Sequence, residues 1–221
     1  MKIRWKRINW GVLFALVLIA GLVIYLIVDN AKFKQSKSEI METAERYLQE
    51  QPLAEKEGLG GSDALEELLN QYWAEIKLPG GINGQGKGAV LDKLKVLKEQ
   101  EATAGRIVEA QSLTQRPTVL RNSPWTAQVT VDVIETYEVD GPCVLFMSGG
   151  FTAVPGGELK SYGWEEGKTV KLKYQNEYTL EFAKTGDGWK IASLVDCRSI
   201  NMTEGINPYG VPAEEAPGEE G

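Results

Sequence analysis

The sequence contains no histidine, and that absence removes the commonest general base and the commonest zinc ligand. Catalytic triads and His-containing metal sites are therefore excluded. Cysteine is nearly absent as well: Cys143 and Cys197 are too few for a zinc cluster or a disulfide-rich scaffold. Nothing in the chain calls for a cofactor. Positive charge is scarce where a nucleic-acid binder would need it. Six basic residues and one acid, Asp29, fall within residues 1–34. Taking them from the chain's 24 Lys+Arg and 31 Asp+Glu leaves the remainder with a net charge of −12. Phosphate affinity comes mostly from Lys and Arg, so no nucleic-acid partner is expected.

Charge is also missing from Trp10 to Val28, an unbroken apolar run of 19 residues without proline. As a helix it is about 28 Å long, close to the thickness of a bilayer's hydrocarbon core. The preceding MKIRWKR carries four positive charges, which by the positive-inside tendency keeps the N-terminus in the cytoplasm and exports the rest. Lys32, Lys34 and Lys37 beyond the run weaken that bias, while Trp5, Trp10 and Tyr25 suit interfacial positions. A cleaved signal peptide would have a shorter run and a small-residue cleavage site. Val28-Asp29-Asn30-Ala31 supplies none, and no lipoprotein cysteine follows. The expected layout is a cytoplasmic tail over 1–9, a membrane helix over 10–28 and a linker over 29–35. An extracytoplasmic α+β domain over 36–198 and a disordered acidic tail over 199–221 follow.

Helical spacing recurs after the anchor. Ile40, Ala44, Tyr47 and Leu48 align over Ser36–Gln51. A second helix is expected over Ser62–Lys77, with Ser62 as N-cap and Leu65, Leu68, Leu69, Tyr72, Trp73 and Ile76 on one stripe. Gly81–Lys87 fits G-x-x-x-x-G-K, the phosphate-cradling loop, but Gly88 stands where magnesium would need Ser or Thr, and a helix precedes the loop. It reads as a helix–helix connection, followed by a third helix over Ala89–Glu101.

From Gly105 the period becomes two. Strands are expected over Arg106–Leu113, Ala127–Val139, Val144–Met147, Thr169–Ala183 and Trp189–Cys197, with a Gly-rich loop over Ser148–Gly167. Thr185-Gly186-Asp187-Gly188 is a hairpin turn. The tail from Asn201 is rich in Gly, Pro and Glu, and its Asn201-Met202-Thr203 sequon is short enough to arise by chance. Helices first and alternating strands after them argue for an α+β domain with helices on one face of an antiparallel sheet.

Tyr178-Thr-Leu-Glu-Phe182 followed by Lys184-Thr-Gly-Asp-Gly-Trp189-Lys-Ile191 resembles the last hairpin of the nuclear transport factor 2-like fold. The resemblance implies a cone of curved sheet closed by N-terminal helices over residues 36–198. Proteins of that fold include isomerases and dehydratases, small-ligand binders and assembly modules. The layout of tail, single span and outer domain is similar to inner-membrane assembly proteins of type IV secretion and conjugation, though no residue motif carries that likeness.

Two sites are expected. Glu135, Asn176 and Ser193 interrupt the inward strand faces, with Tyr137, Tyr174 and Tyr178 beside them. A carboxylate among tyrosines in an apolar cone suits proton transfer or a small polar ligand. The alternative is that these groups lie at the cone's wet mouth or that a bulge turns them outward. Cys143 and Cys197 are expected to pair, closing a loop of about 55 residues for roughly 4 kcal/mol. The favoured function is a membrane-tethered interaction or assembly module. Its partners would be other envelope proteins or copies of itself. A tethered ligand-binding or sensor domain is the alternative, and an enzyme comes behind both.

Overall fold

The computed structural model describes residues 9–58, 63–75, 86–100, 105–147, 150–199 and 211–212. The chain divides into two compact units, Met1–Ser38 and Glu39–Gly221. In the first, helix α1 begins at Trp10 and continues to Gly58, 49 residues in all. From Trp10 to Val28 its large apolar side chains are exposed on every side, so this stretch is long and apolar enough to cross a membrane. Residues 29–35, expected as a linker, are helical. The segment between the apolar run and Pro52 contains no glycine or proline to end the helix.

The second unit is an α+β domain in which helices pack against an antiparallel sheet. After the end of α1 come α2 (Ala64–Tyr72) and α3 (Lys87–Gln100), then β1 (Ile107–Arg121), β2 (Thr126–Val139), β3 (Cys143–Met147) and β4 (Gly150–Val154). A short α4 (Gly156–Ser161), β5 (Val170–Thr185), β6 (Gly188–Ser199) and β7 (Val211–Pro212) complete the described elements. The main sheet has the order β1-β2-β5-β6, and β7 pairs with β5 where β6 has ended; β3 and β4 form a separate hairpin.

The sheet's inner face follows from period-two patterning. Along β2 every second residue from Ala127 to Val139 is buried and every intervening one is partly exposed. Val131 pairs with Tyr178, Glu135 with Tyr174 and Tyr137 with Leu172, so the buried residues of β5 share that face. Helix α1 covers it with Ile40, Ala44, Tyr47 and Leu48, all fully buried. Tyr47 packs against the Tyr72 and Trp73 rings with centroids 5.8 and 6.0 Å away. Helix α2 stops at Tyr72, short of the expected Lys77, because Trp73 bridges to Ile191 and the Ala74 N–H donates to the Ile191 carbonyl at 2.8 Å. Ser62, Ile76 and Lys77 lie outside the described residues, as does most of the glycine-rich connection. The tail beyond Ser199 does too, apart from Val211–Pro212.

Other differences from the sequence reading have local causes. Residues 148–167, expected as one loop, contain strand β4 and helix α4. Strand β1 runs eight residues past Leu113 because a bulge between Gln115 and Thr118 absorbs Pro117, with Arg116 at a φ of 51°. The Gly186-Asp187 turn forms as expected, and Gly188 adopts a φ of 103° that suits only glycine.

Leu172 is fully buried, whereas Leu113 is 55% exposed. Leu172→Ala should therefore cost about 2–5 kcal/mol of unfolding free energy, and Leu113→Ala no more than about 0.5 kcal/mol. Denaturant titration of both variants measures the contrast.

Candidate functional site

The inner face places Glu135 on β2, flanked by Ser112 of β1 and Tyr174 of β5 in register. Its side chain is fully buried. One carboxyl oxygen, Oε2, accepts from the Tyr178 hydroxyl at 2.7 Å and from Asn176 Nδ2 at 3.1 Å. The other, Oε1, is buried without a hydrogen-bond partner, and so is Ser112 Oγ directly across the ladder. Burial pushes the Glu135 carboxyl up to about 7, against the pull of its two donors.

A second carboxyl joins this core from α1. Glu55 is 1% exposed. Its Oε2 accepts from the Tyr137 hydroxyl at 3.1 Å, and its Oε1 takes the Phe146 N–H. Gln51, one turn earlier, donates to the Phe146 carbonyl. Burial drives the Glu55 carboxyl well above the usual carboxylate range, the Phe146 N–H opposes that, and the Glu135 charge raises it further. Tyr137 and Tyr178 are likewise pushed well above an ordinary phenol, first by burial and then by the neighbouring carboxyls. Two carboxyls thus share one dry, tyrosine-lined space, and each ionisation disfavours the other.

Of the residues expected at the site, the structure brings Glu135, Asn176 and Tyr178 into direct contact. Tyr137 and Tyr174 stack edge to face with centroids 6.2 Å apart, and Tyr137 bonds Glu55 rather than Glu135. Ser193 is elsewhere. Bulges in β6 at Ala192 and Val195 place Leu194 opposite Leu180 on the inner face and Ser193 opposite Glu181 on the outer one. The expected Cys143–Cys197 disulfide is not formed: both thiols are free. Cys143 begins β3 opposite Val154, whereas Cys197 lies in the main sheet opposite Tyr178, so the two belong to different sheets. Burial pushes the Cys143 thiol up to about 12, which leaves it protonated and unreactive at neutral pH.

Glu55 and Gln51 were missed because Pro52 marks a helix end in sequence. The signal was present, since 51 and 55 continue the 40-44-47-48 stripe in phase. A cleft of about 260 Å³ opens between Lys56, Glu109, Gln111, Glu138 and Lys171, and Glu135 is not among its lining residues.

No family model matches the chain, and no curated protein matches it. Solved structures do. The chain is similar to nuclear transport factor 2-like proteins. One such structure is an NTF2-like protein with a cystatin-like fold from Novosphingobium aromaticivorans, 17% identical over 80% of this chain and 90% of that one, with a TM-score of 0.39. An IcmL-like type IV secretion system protein from Legionella pneumophila is 11% identical over 75% of this chain and 94% of that one, at a TM-score of 0.43. The hexachlorocyclohexane dehydrochlorinase LinA-type3 from Novosphingobium barchaimii is 12% identical over 84% and 92%, also at 0.43. None of these likenesses assigns a role to this chain.

The buried Glu135 carboxyl makes the stability of this domain depend on pH. A folded-state value near 7, above the unfolded value of 4.5, means the native state holds its proton more tightly. Its contribution to stability is complete below about pH 4.5 and is lost as pH rises through 7. Glu55 acts in the same direction. Glu135→Gln keeps an oxygen for Tyr178 and removes the titration. The variant should unfold at higher temperature than wild type at pH 8 and show a shallower decline between pH 5 and 8. The difference should reach up to about 3 kcal/mol. Thermal melts across that range measure it, and parallel curves would place Glu135 in a solvated setting.

Proposed function

We propose that this chain is a membrane-anchored, extracytoplasmic interaction module that assembles with other envelope proteins or with copies of itself. The observation that carries the reading is helix α1. Its first half exposes apolar side chains all round, and the same helix continues from Ile40 into the core of the sheet domain. Such an element suits a protein whose partners share its membrane, because tethering raises their effective concentration.

The sheet domain offers an edge for such a partner. Among the described residues β1 pairs with β2 alone, leaving its other edge free, and Val108 and Leu113 are exposed along it. The bulge and Pro117 blunt the second half of this edge, which leaves Ile107–Gln115 as the open stretch. An added strand finds main-chain hydrogen bonds there. Cross-linking in the native membrane followed by purification should capture a partner or a dimer, and Leu113→Glu should abolish that product without lowering the melting temperature. A wild-type chain that yields no cross-linked species would overturn the reading.

The proposed orientation keeps the N-terminus cytoplasmic, on the strength of the four positive charges in MKIRWKR. Protease added to intact protoplasts should then remove the chain beyond about residue 31. Protection of the sheet domain would reverse the orientation.

One observation favours the second reading, a tethered small-ligand or sensor domain. Glu135 Oε1 and Ser112 Oγ are buried and unpartnered side by side, the arrangement expected where a small polar molecule completes a site. Catalysis ranks behind both readings, since Glu55 and the Tyr137 and Tyr178 phenols are held in their neutral forms near pH 7 and no histidine is present to relay a proton. Loss of a bound small molecule from Glu135→Gln, with the fold intact, would favour the ligand reading over the assembly one.

A further inference from the structure

The chain enters the sheet unit at one end of the sheet. Glu39 is the first residue of that unit, and its carboxylate accepts the Trp189 N–H at 3.3 Å beside the Gly186-Asp187 turn. The β1–β2 turn lies at the same end: the Lys184 N–H donates to the Trp125 carbonyl at 2.8 Å, and Thr126 pairs with Ala183. Ten residues, 29–38, separate Glu39 from the apolar run. As helix they cover about 15 Å, and even fully extended no more than about 35 Å. That tether limits how far this end of the sheet can stray from the end of the run, whichever way the domain turns.

This end presents apolar and basic groups together. Trp125 is 66% exposed and Leu120 63%, values more typical of the anchor than of a water-facing sheet. Lys184 is exposed, and Arg121 is half-buried with its Nε donating to the Ser123 carbonyl at 3.2 Å. Lys32, Lys34 and Lys37 are exposed along the tether. The acids at this end of the sheet are Glu39, which is engaged with the β5–β6 turn, the buried Glu181, which bonds Asn122, and the exposed Asp187. Residues 35–221 carry a net charge of −12, and at this end, among the described residues, Asp187 is the exposed acid whose carboxylate no hydrogen bond to the sheet engages, beside the exposed Lys184.

A lone exposed tryptophan at a loop tip is commonplace on soluble proteins. Two features separate this one. It sits beside cations, the pairing that partitions into the headgroup layer of anionic bilayers, and a tether of ten residues holds it near such a layer.

We propose that the β1–β2 turn docks on an anionic lipid surface, Trp125 and Leu120 entering the headgroup layer while Arg121 and Lys184 face lipid phosphates. The inference rests on the reading that Trp10–Val28 crosses a membrane. Docking of this kind gives the sheet domain a second attachment and fixes its pose on the membrane, with β1 presented laterally to proteins in the same plane.

The test uses the full chain in nanodiscs of phosphatidylcholine with or without phosphatidylglycerol, the acyl chains brominated to quench nearby indoles. Subtracting the signal of Trp125→Phe from that of wild type isolates Trp125 from the chain's other tryptophans. Trp125 should be quenched in the phosphatidylglycerol discs, and Lys184→Glu should lower the docked population about fivefold or more. A chain that co-elutes with discs while Trp125 escapes quenching overturns this inference and leaves the anchor standing. Equal quenching with and without phosphatidylglycerol overturns the anionic requirement. Failure to co-elute overturns the anchor and the docking together.

Discussion

Where helix α1 meets the sheet, a backbone amide and carbonyl on one strand are taken up by two side chains on one helix. Gln51 donates to the Phe146 carbonyl, and Glu55 accepts the Phe146 N–H and the Tyr137 hydroxyl. These groups are buried, and a buried polar group without a partner costs more than a typical hydrogen bond contributes. The β3–β4 hairpin is outside the main sheet, so this clamp ties it to the helix that also covers β2 and β5. Tyr137 belongs to both arrangements: its ring packs on Tyr174 and its hydroxyl reaches Glu55. Helix, hairpin and sheet are thus locked around one carboxyl.

Burying that carboxyl beside a second one has consequences for the whole core. Glu135 lies in the middle of an otherwise apolar alternation, and its charge raises the cost of ionising Glu55. Phenols supply the donors on both sides, through Tyr178 to Glu135 and Tyr137 to Glu55. Near neutral pH the core holds its carboxyls protonated or close to it. A polar network of this kind specifies which helix turn sits over which strand pair, since a slip of one residue would strand two acids without donors.

The apolar run and the first turns over the sheet belong to one helix, and the two readings of function differ in which part of the protein they use. Assembly uses the outside: the open edge of β1 and the exposed side chains along it. Ligand binding uses the inside, where Glu135 Oε1 and Ser112 Oγ, on neighbouring strands in register, are buried without hydrogen-bond partners. The lipid-facing turn proposed here is compatible with either, because Trp125 belongs to neither surface.

Much of this protein was legible in the linear chain. An uncharged run of membrane length, a helical stripe from Ile40 to Leu48 and the strict alternation of β2 are local patterns, and local patterns follow from periods of 3.6 and 2. The contact of Glu135 with Asn176 and Tyr178 follows from the same alternation carried across two strands in the β2–β5 register. What failed to show were features set by partners distant in sequence. Pro52 reads as a helix stop, yet α1 continues through it to Gly58, and its last turns bury Gln51 and Glu55 against Tyr137 and Phe146. Ser193 obeys the alternation on paper, and the bulges of β6 turn it away because each extra residue reverses which face follows. The two cysteines could pair only if the fold brought their Cα atoms within about 7 Å, and which strands come that close is a property of the whole domain. Sequence by itself determined the apolar run of membrane length, the α+β class and the inward faces of β2 and β5. Tertiary structure alone decided which buried acid meets which tyrosine, because the register of one strand on its neighbour sets those distances.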